Sequence, residues 1–401
     1  MNKKLGFYKV GNTLFDSKIQ ALLYATSLYN KIGVDFNSKK LVHWDFNDSV
    51  FASYDWTKEP EESLTSLYRK RARELRSKYD YIIISYSGGS DSHNIVRAFL
   101  DQKLLIDELF VVTLSQNTNK FTIVDPNNTE ATHAHASDMA LQTIPRLRDL
   151  LIESPSIFVR YVDVSDLVFK VFNSKKDASW VLTMKEELNP VDVTRYNYAS
   201  QVDFRKILDK NLNIGIVVGI DKPKVFIDIE TDLMYTRFVD RLTNTIPIGE
   251  YIKEYTNTTV EFFYWSPDSV DMLCKQAHTV KKWLEANPLL QGFFTNIDPP
   301  NTITNARKLH EKLLRLVLYD NWNSSWFQAD KPLRDWFTEE DTWFITGAAG
   351  QKAHSIWLEG IKYIIDNTGP FIRKWGKNPD AFIQWHKDYY IGKLNRRNYD
   401  S

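Results

Sequence analysis

The chain is poor in the features that would make several functions easy to assign. Its 401 residues include one cysteine, Cys274. A disulfide within the chain is therefore excluded, and a thiolate zinc site lacks ligands. Lysine plus arginine number 51, and so do aspartate plus glutamate. With no basic surplus, nucleic acid is not favoured as the main partner, although a local basic patch stays open. No apolar run reaches the ~20 residues of a membrane span. The opening Met1-Asn2-Lys3-Lys4-Leu5-Gly6 has no apolar stretch behind its charges, so no signal peptide is expected and the expected setting is cytoplasmic. Neither Gly-x-x-x-x-Gly-Lys-Ser/Thr nor Gly-x-Gly-x-x-Gly occurs, which removes the two commonest phosphate-binding strings.

What is present is ordinary globular composition, 43% hydrophobic and 25% charged, in three zones. Residues 1–60 read as a small α+β cap. Gly6–Val10 and Thr13–Phe15 flank a glycine turn, Ile19–Tyr29 has helical character, and Leu41–Trp44 reads as a strand. Residues 61–231 alternate strands and helices, which predicts an α/β fold with a doubly wound, mostly parallel sheet. The strands expected there are Tyr81–Tyr86, Leu109–Leu114, Ile157–Val162 and Ile214–Ile220. The helices are Leu64–Lys78, one beginning near Ser92, Met139–Leu151, and one ending at Phe204–Leu208. Residues 232–401 read as mainly helical. Seven of the twelve tryptophans lie from Trp322 to Trp385, too aromatic a stretch for a disordered tail.

One junction stands out. The β-branched run Tyr81-Ile82-Ile83-Ile84 stops at Ser87-Gly88-Gly89-Ser90-Asp91-Ser92, and helical spacing resumes with Ile95, Val96, Phe99 and Leu100. A strand, a glycine turn and a helix N-terminus make an anion site. Gly88 and Gly89 can adopt φ > 0 and let the backbone approach phosphate oxygens. Ser87 and Ser92 offer hydroxyls, and the helix start adds free N–H groups. Asp91 repels phosphate directly, which suits a Mg²⁺ ligand instead. The plain alternative is a strand–turn–helix connection with no ligand.

The string Ser-Gly-Gly-x-Asp-Ser resembles the signature loop of the PP-loop ATP pyrophosphatases. That resemblance implies ATP and Mg²⁺ as cofactors, with Ser87, Gly88, Gly89, Ser90, Asp91 and Ser92 around the nucleotide. It also implies attack on the α-phosphorus, departure of pyrophosphate and an adenylate intermediate. Sulfur-transferring branches generally use cysteines, and Cys274 reads as a small buried apolar residue. Beyond the loop, the chain resembles the synthetase domain of asparagine synthetases and β-lactam synthetases. The likeness is carried by the Leu64–Lys78 helix, by Ile216-Val217-Val218-Gly219-Ile220-Asp221, by Glu261-Phe262-Phe263-Tyr264-Trp265-Ser266-Pro267, and by Glu311-Lys312-Leu313-Leu314-Arg315 with Lys331 downstream. It implies Asp221 as a second Mg²⁺ ligand beside Asp91, and Lys331 as a catalytic cation; each also reads as an ordinary surface residue. The pattern departs at Lys222, where the family usually has a second acid. Lys222 disturbs the metal arrangement or brings a cation to the phosphates. The N-terminal cysteine of glutamine-using relatives is absent too, so no glutaminase activity is expected.

The reading is thus an ATP-dependent amide ligase that adenylates a small-molecule carboxylate and passes it to an amine acceptor. The rivals are a PP-loop enzyme modifying a nucleobase in tRNA or DNA, and a protein that binds ATP or AMP without turnover. Other features read as structural. They are the His133-Ala134-His135 loop with Asp138, His93 on the first helical turn, the basic face of Arg69, Lys70, Arg73, Arg76 and Lys78, and Gln276 and His278 beside Cys274.

Overall fold

The computed structural model of the chain describes residues 6–32, 41–113, 139–163, 165–183, 211–220, 222–228, 230–239, 257–295, 312–323, 325–326, 351–368, 383–384 and 386–395. The expected hairpin forms from β1 (Phe7–Val10) and β2 (Thr13–Phe15), with Gly11 at φ 58° in its turn. Helix α1 (Lys18–Ile32), β3 (Val42–Asp45) and α2 (Asp48–Ser53) follow. Helix α3 (Leu64–Lys78) begins where the Ser63 hydroxyl accepts from the Ser66 N–H at 3.1 Å. It buries Leu67, Tyr68, Ala72 and Leu75 on one face.

The α/β unit then runs through β4 (Tyr81–Ser85), α4 (Ser90–Leu100) and β5 (Glu108–Thr113). A π-helical turn, Met139–Thr143, leads into α5 (Ile144–Glu153), β6 (Phe158–Asp163), α6 (Ser165–Ser174), α7 (Trp180–Thr183) and β7 (Ile214–Val218). Beyond it come β8 (Lys224–Ile227), β9 (Leu233–Val239), β10 (Thr258–Phe262), α8 (Val270–Ala286) and helical residues 312–318. The described chain ends with α9 (Lys352–Thr368), β11 (Ile383–Gln384) and β12 (His386–Lys393).

Five strands make one all-parallel sheet, in the order β10-β7-β4-β5-β6, flanked by helices. Ile82, Ile83 and Ile84 are buried, as is all of β7, which is the near-continuous apolar reading that parallel strands require. From β4 the chain winds outward through β5 and β6. It then returns to β7 on the other side of β4 and continues to β10. The winding direction therefore reverses between β4 and β7. In an open parallel sheet, ligands bind at that reversal, beyond the strands' carboxyl ends.

Residues 258–262 thus lie at the edge of the central sheet, although they fall in the stretch read from sequence as mainly helical. Strands β12, β9 and β8 form a separate antiparallel sheet, and β11 extends the N-terminal sheet beside β3. An aromatic seam ties these parts together. Phe51 packs on Phe238 with ring centres 4.4 Å apart, Trp56 stacks on Tyr389 at 4.9 Å, and Phe238 meets Trp265 edge-on at 5.2 Å. Among the described residues, no helix is long and apolar enough to cross a membrane.

Candidate functional site

The Ser87–Ser92 loop sits at the carboxyl end of β4, beside the winding reversal. Gly88 has φ 72°, in the left-handed region, and a Cβ there would lie 2.7 Å from the Thr143 Cα. Glycine is required at this position by both dihedral and space. Gly89 differs from expectation: at φ −71° and ψ 168° it is extended backbone and caps the helix. The helix itself starts at Ser90, two residues before the expected point. Its first internal bond is His93 N–H to the Gly89 carbonyl, at 2.9 Å. No helical carbonyl therefore accepts from the amides of Ser90, Asp91 and Ser92.

The hydroxyls divide into two kinds. Ser92 Oγ is used inside the loop, 3.2 Å from the Gly89 carbonyl and 3.3 Å from both the Ser87 amide and hydroxyl. Ser90 Oγ is buried and has no partner among the described residues. The loop carbonyls are held by the π-helical turn and α5. Thr143 donates to the Ser87 carbonyl at 2.7 Å, and the Arg146 guanidinium donates to that of Gly88. Arg146 is buried, its guanidinium 4.6 Å from the ring centres of both Trp322 and Trp326. A cation is thus built in beside the loop. Turns of π-helix recur at functional sites.

Asp91 has its own set of partners. Lys222 Nζ donates to both carboxylate oxygens, at 2.9 and 2.7 Å, and Tyr319 donates to Oδ1 at 2.5 Å. The Tyr264 hydroxyl donates to the Asp91 backbone carbonyl at 2.9 Å and accepts from Asn94. Tyr68, Tyr264 and Tyr319 cluster with ring centres about 6 Å apart. Burial raises all three phenols well above their ordinary range, and the nearby Asp91 charge adds to this, so they act as donors. Lys222 reaches Asp91 from the segment after β7, across the reversal. Gly219 lies beside this pair, and a Cβ on it would sit 3.3 Å from the Ile95 Cδ1 and 3.4 Å from the Asp91 Cβ.

His93 lies behind the loop, 3.2 Å from the Tyr86 hydroxyl and edge-on to Trp326. Burial, with help from Arg146 and Arg97, lowers its pKa to about 4, so it is neutral near pH 7 and brings no charge to an anion.

At Asp91, the expected magnesium ligand, the Lys222 ammonium engages both carboxylate oxygens. Asp221 and Lys331 lie outside the described residues, as do His133, His135 and Asp138. Among the described residues, one group, His43, Asp45 and Asp48, brings three potential metal ligands within 4.8 Å of one another. Lys9 already pairs with Asp45 and Lys387 with Asp48, each at 2.5 Å.

Cys274 is buried and its thiol is pushed up to about 12, chiefly by burial, which makes it an inert core residue. Gln276 donates to the Tyr68 hydroxyl and His278 contacts the Trp56 carbonyl, both structural roles. The basic face of α3 is largely engaged within the chain. Arg71 and Lys78 pair with Glu261, Arg76 with Asp107, Arg73 with Gln102, and Arg69 lies 4.0 Å from Asp101.

The sequence reading missed Thr143, Arg146, Tyr319, Trp322 and Trp326 around the loop. The only hint of the last two was their aromatic density, read there as fold content alone. No family model matches the chain, and neither any curated protein nor any solved structure does.

Proposed function

We propose that the chain binds ATP at the Ser87–Ser92 loop and is a ligase of the PP-loop kind. The observation that carries this reading is the loop's setting. A Ser-Gly-Gly-Ser-Asp-Ser string lies at the winding reversal of a parallel sheet, with left-handed Gly88, three helix-start amides and a buried Ser90 hydroxyl that has no partner among the described residues. In the proposed reaction a carboxylate oxygen of the substrate attacks the α-phosphorus of ATP and pyrophosphate leaves. The amine nitrogen then attacks the acyl carbon, AMP departs and an amide remains. Within this reading the helix-start amides and Ser90 hold the pyrophosphate oxygens. Arg146 opposes their charge through the short loop backbone it anchors.

Binding without turnover is the second reading, and the Lys222–Asp91 pair supports it, since it occupies the carboxylate that the ligase resemblance gives to a metal. A nucleobase-modifying role has less support, because the basic face of α3 is mostly engaged with acids of the same chain. Hydroxylamine in place of the amine separates the readings. Incubation with ATP and a panel of carboxylates should yield a hydroxamate with equal amounts of AMP and pyrophosphate. ADP as the sole nucleotide product would overturn the ligase reading. ATP binding without any product would favour the second.

A further inference from the structure

We infer that the Lys222 ammonium is a built-in cation that takes the place of a divalent ion on Asp91, so that the loop holds a polyphosphate with no metal bound to that carboxylate. This rests on the nucleotide reading above and specifies how its site is neutralised.

Three observations carry the inference. The first is geometry. One ammonium spans both oxygens of Asp91, at 2.9 and 2.7 Å, the distances of charge-assisted hydrogen bonds. Mg²⁺ would need an oxygen at about 2.1 Å and five more ligands around it. Lys222 stands where those would go, and Tyr319 fills a further lone pair on Oδ1. The second is burial. The Lys222 side chain is 4% exposed, and an ammonium so deep is held by its counter-charge. A doubly charged ion brought to the same carboxylate would be repelled at short range by that ammonium. The third is position. Lys222 comes from the β7 side of the winding reversal and Asp91 from the first turn of α4, so the pair bridges the crevice that receives a ligand in such sheets.

The electrostatic consequence is direct. A bare Asp91 in the first turn of α4 would repel phosphate and cancel the helix's positive end. Paired with Lys222 it is neutral. The positive end of α4 is then uncancelled, and the Arg146 guanidinium donates to the Gly88 carbonyl beside it.

Calorimetry with ATP, in excess EDTA and separately in excess Mg²⁺, tests this. The wild-type affinity should differ between the two by no more than about threefold. In Lys222→Met, affinity in EDTA should fall by at least about 10-fold, the size of one lost charge-assisted contact, and Mg²⁺ should restore most of it by occupying the freed carboxylate. Electron paramagnetic resonance of Mn²⁺ alone should show no uptake by the wild type and uptake of about one ion by Lys222→Asp. Should Lys222→Met melt early, the double variant Asp91→Asn with Lys222→Met removes both charges together. It should bind ATP within a few-fold of the wild type, equally with and without Mg²⁺, because the neutral pair is replaced by neutral side chains. Wild-type ATP binding that collapses in EDTA would overturn the inference while leaving the nucleotide reading intact. So would Lys222→Met binding unchanged in EDTA. Absence of ATP binding in both conditions would overturn the nucleotide reading, and the inference with it.

Discussion

Two regions of the molecule hold a carboxylate between a lysine and a tyrosine. At the edge of the central sheet, Glu261 on β10 accepts from Lys78 at 2.5 Å, Tyr79 at 2.6 Å and Arg71 at 3.1 Å. At the winding reversal, Asp91 accepts from Lys222 and Tyr319. Their neighbourhoods differ. Glu261 is 2% exposed, and Arg71 also donates to the Phe262 carbonyl at 3.1 Å. Asp91 is 25% exposed and lies beside an unpartnered serine, a left-handed glycine and amides without helical acceptors. The first arrangement joins α3 to the sheet and asks nothing of a ligand. The second leaves donors unspent. Ion pairs alone do not separate structure from function here; the unspent donors around them do.

The largest expected effect lies on the structural side. Glu261→Ala strips the counter-charge from buried Arg71 and should cost roughly 3–5 kcal/mol, the usual penalty for breaking a buried pair. Denaturant unfolding measures it. A loss below about 1 kcal/mol would mean the two carboxylates are not the contrasting pair described above.

Gly88→Ala tests the other side. Its φ of 72° and the Thr143 Cα at 2.7 Å force the loop to move, at a stability cost of roughly 1–2 kcal/mol. ATP affinity should fall by about 100-fold or more, because the helix-start amides lose their alignment. Calorimetry and melting on the same samples decide the matter. Melting that drops with ATP affinity unchanged would make Gly88 a packing residue only.

Much of this contrast could be read before any coordinates. The apolar runs gave four of the five parallel strands to within one or two residues and missed β10, because strands of such a sheet admit mostly aliphatic and aromatic side chains. The Ser-Gly-Gly-Ser-Asp-Ser string located the loop. The residues around it were not legible. Thr143, Arg146, Tyr319, Trp322 and Trp326 come from segments more than fifty residues from the loop, and no local spacing ties an arginine to a glycine carbonyl that far away. Glu261 was read through its likeness to a family segment, its partner Lys78 as part of a basic helix face, and Arg71 was not singled out. Lys222 was noticed as a departure, but only its contact with Asp91 gives that departure a meaning.

Acid should separate the two regions by pH window. His93 is neutral in the fold with a pKa near 4, against about 6.5 when unfolded. Below 6.5 the unfolded state binds the extra proton, so stability falls as pH drops from about 6.5 towards 4. At full effect the loss is roughly 3 kcal/mol, reduced by whatever water reaches the ring. Glu261 is shifted down too, but by its partners and from a lower starting value. Burial would raise its pKa, but Lys78, Tyr79 and Arg71 outweigh that and hold it below the usual 4.5. Its contribution stays intact above 4.5 and fades only in stronger acid. Melting temperature against pH should therefore slope between 6.5 and 4 in the wild type and flatten there in His93→Gln. An unchanged slope in that variant would remove His93 as the source.

Ser90→Ala should give the smallest effect and the one of unusual sign. The hydroxyl is buried with no partner among the described residues, and an unsatisfied buried donor costs roughly 1–3 kcal/mol. Alanine keeps the volume nearly unchanged, suits the first helical turn and leaves nothing to satisfy. The variant should melt at the wild-type temperature or above it, with a gain of up to about 1 kcal/mol, the low end of that penalty. If the hydroxyl is instead spent on a phosphate oxygen when ATP binds, the same change should weaken ATP by about 10-fold, one charge-assisted bond. A residue that lowers stability in the free protein and raises affinity for a ligand is what an unspent donor means physically. At Glu261 every partner removed should cost stability, with ATP affinity following only through the fold. At Ser90 the two measurements should move in opposite directions. Were Ser90→Ala to lose stability and keep its ATP affinity, the hydroxyl would be a structural group like those around Glu261, and the loop would hold phosphate through its backbone amides alone.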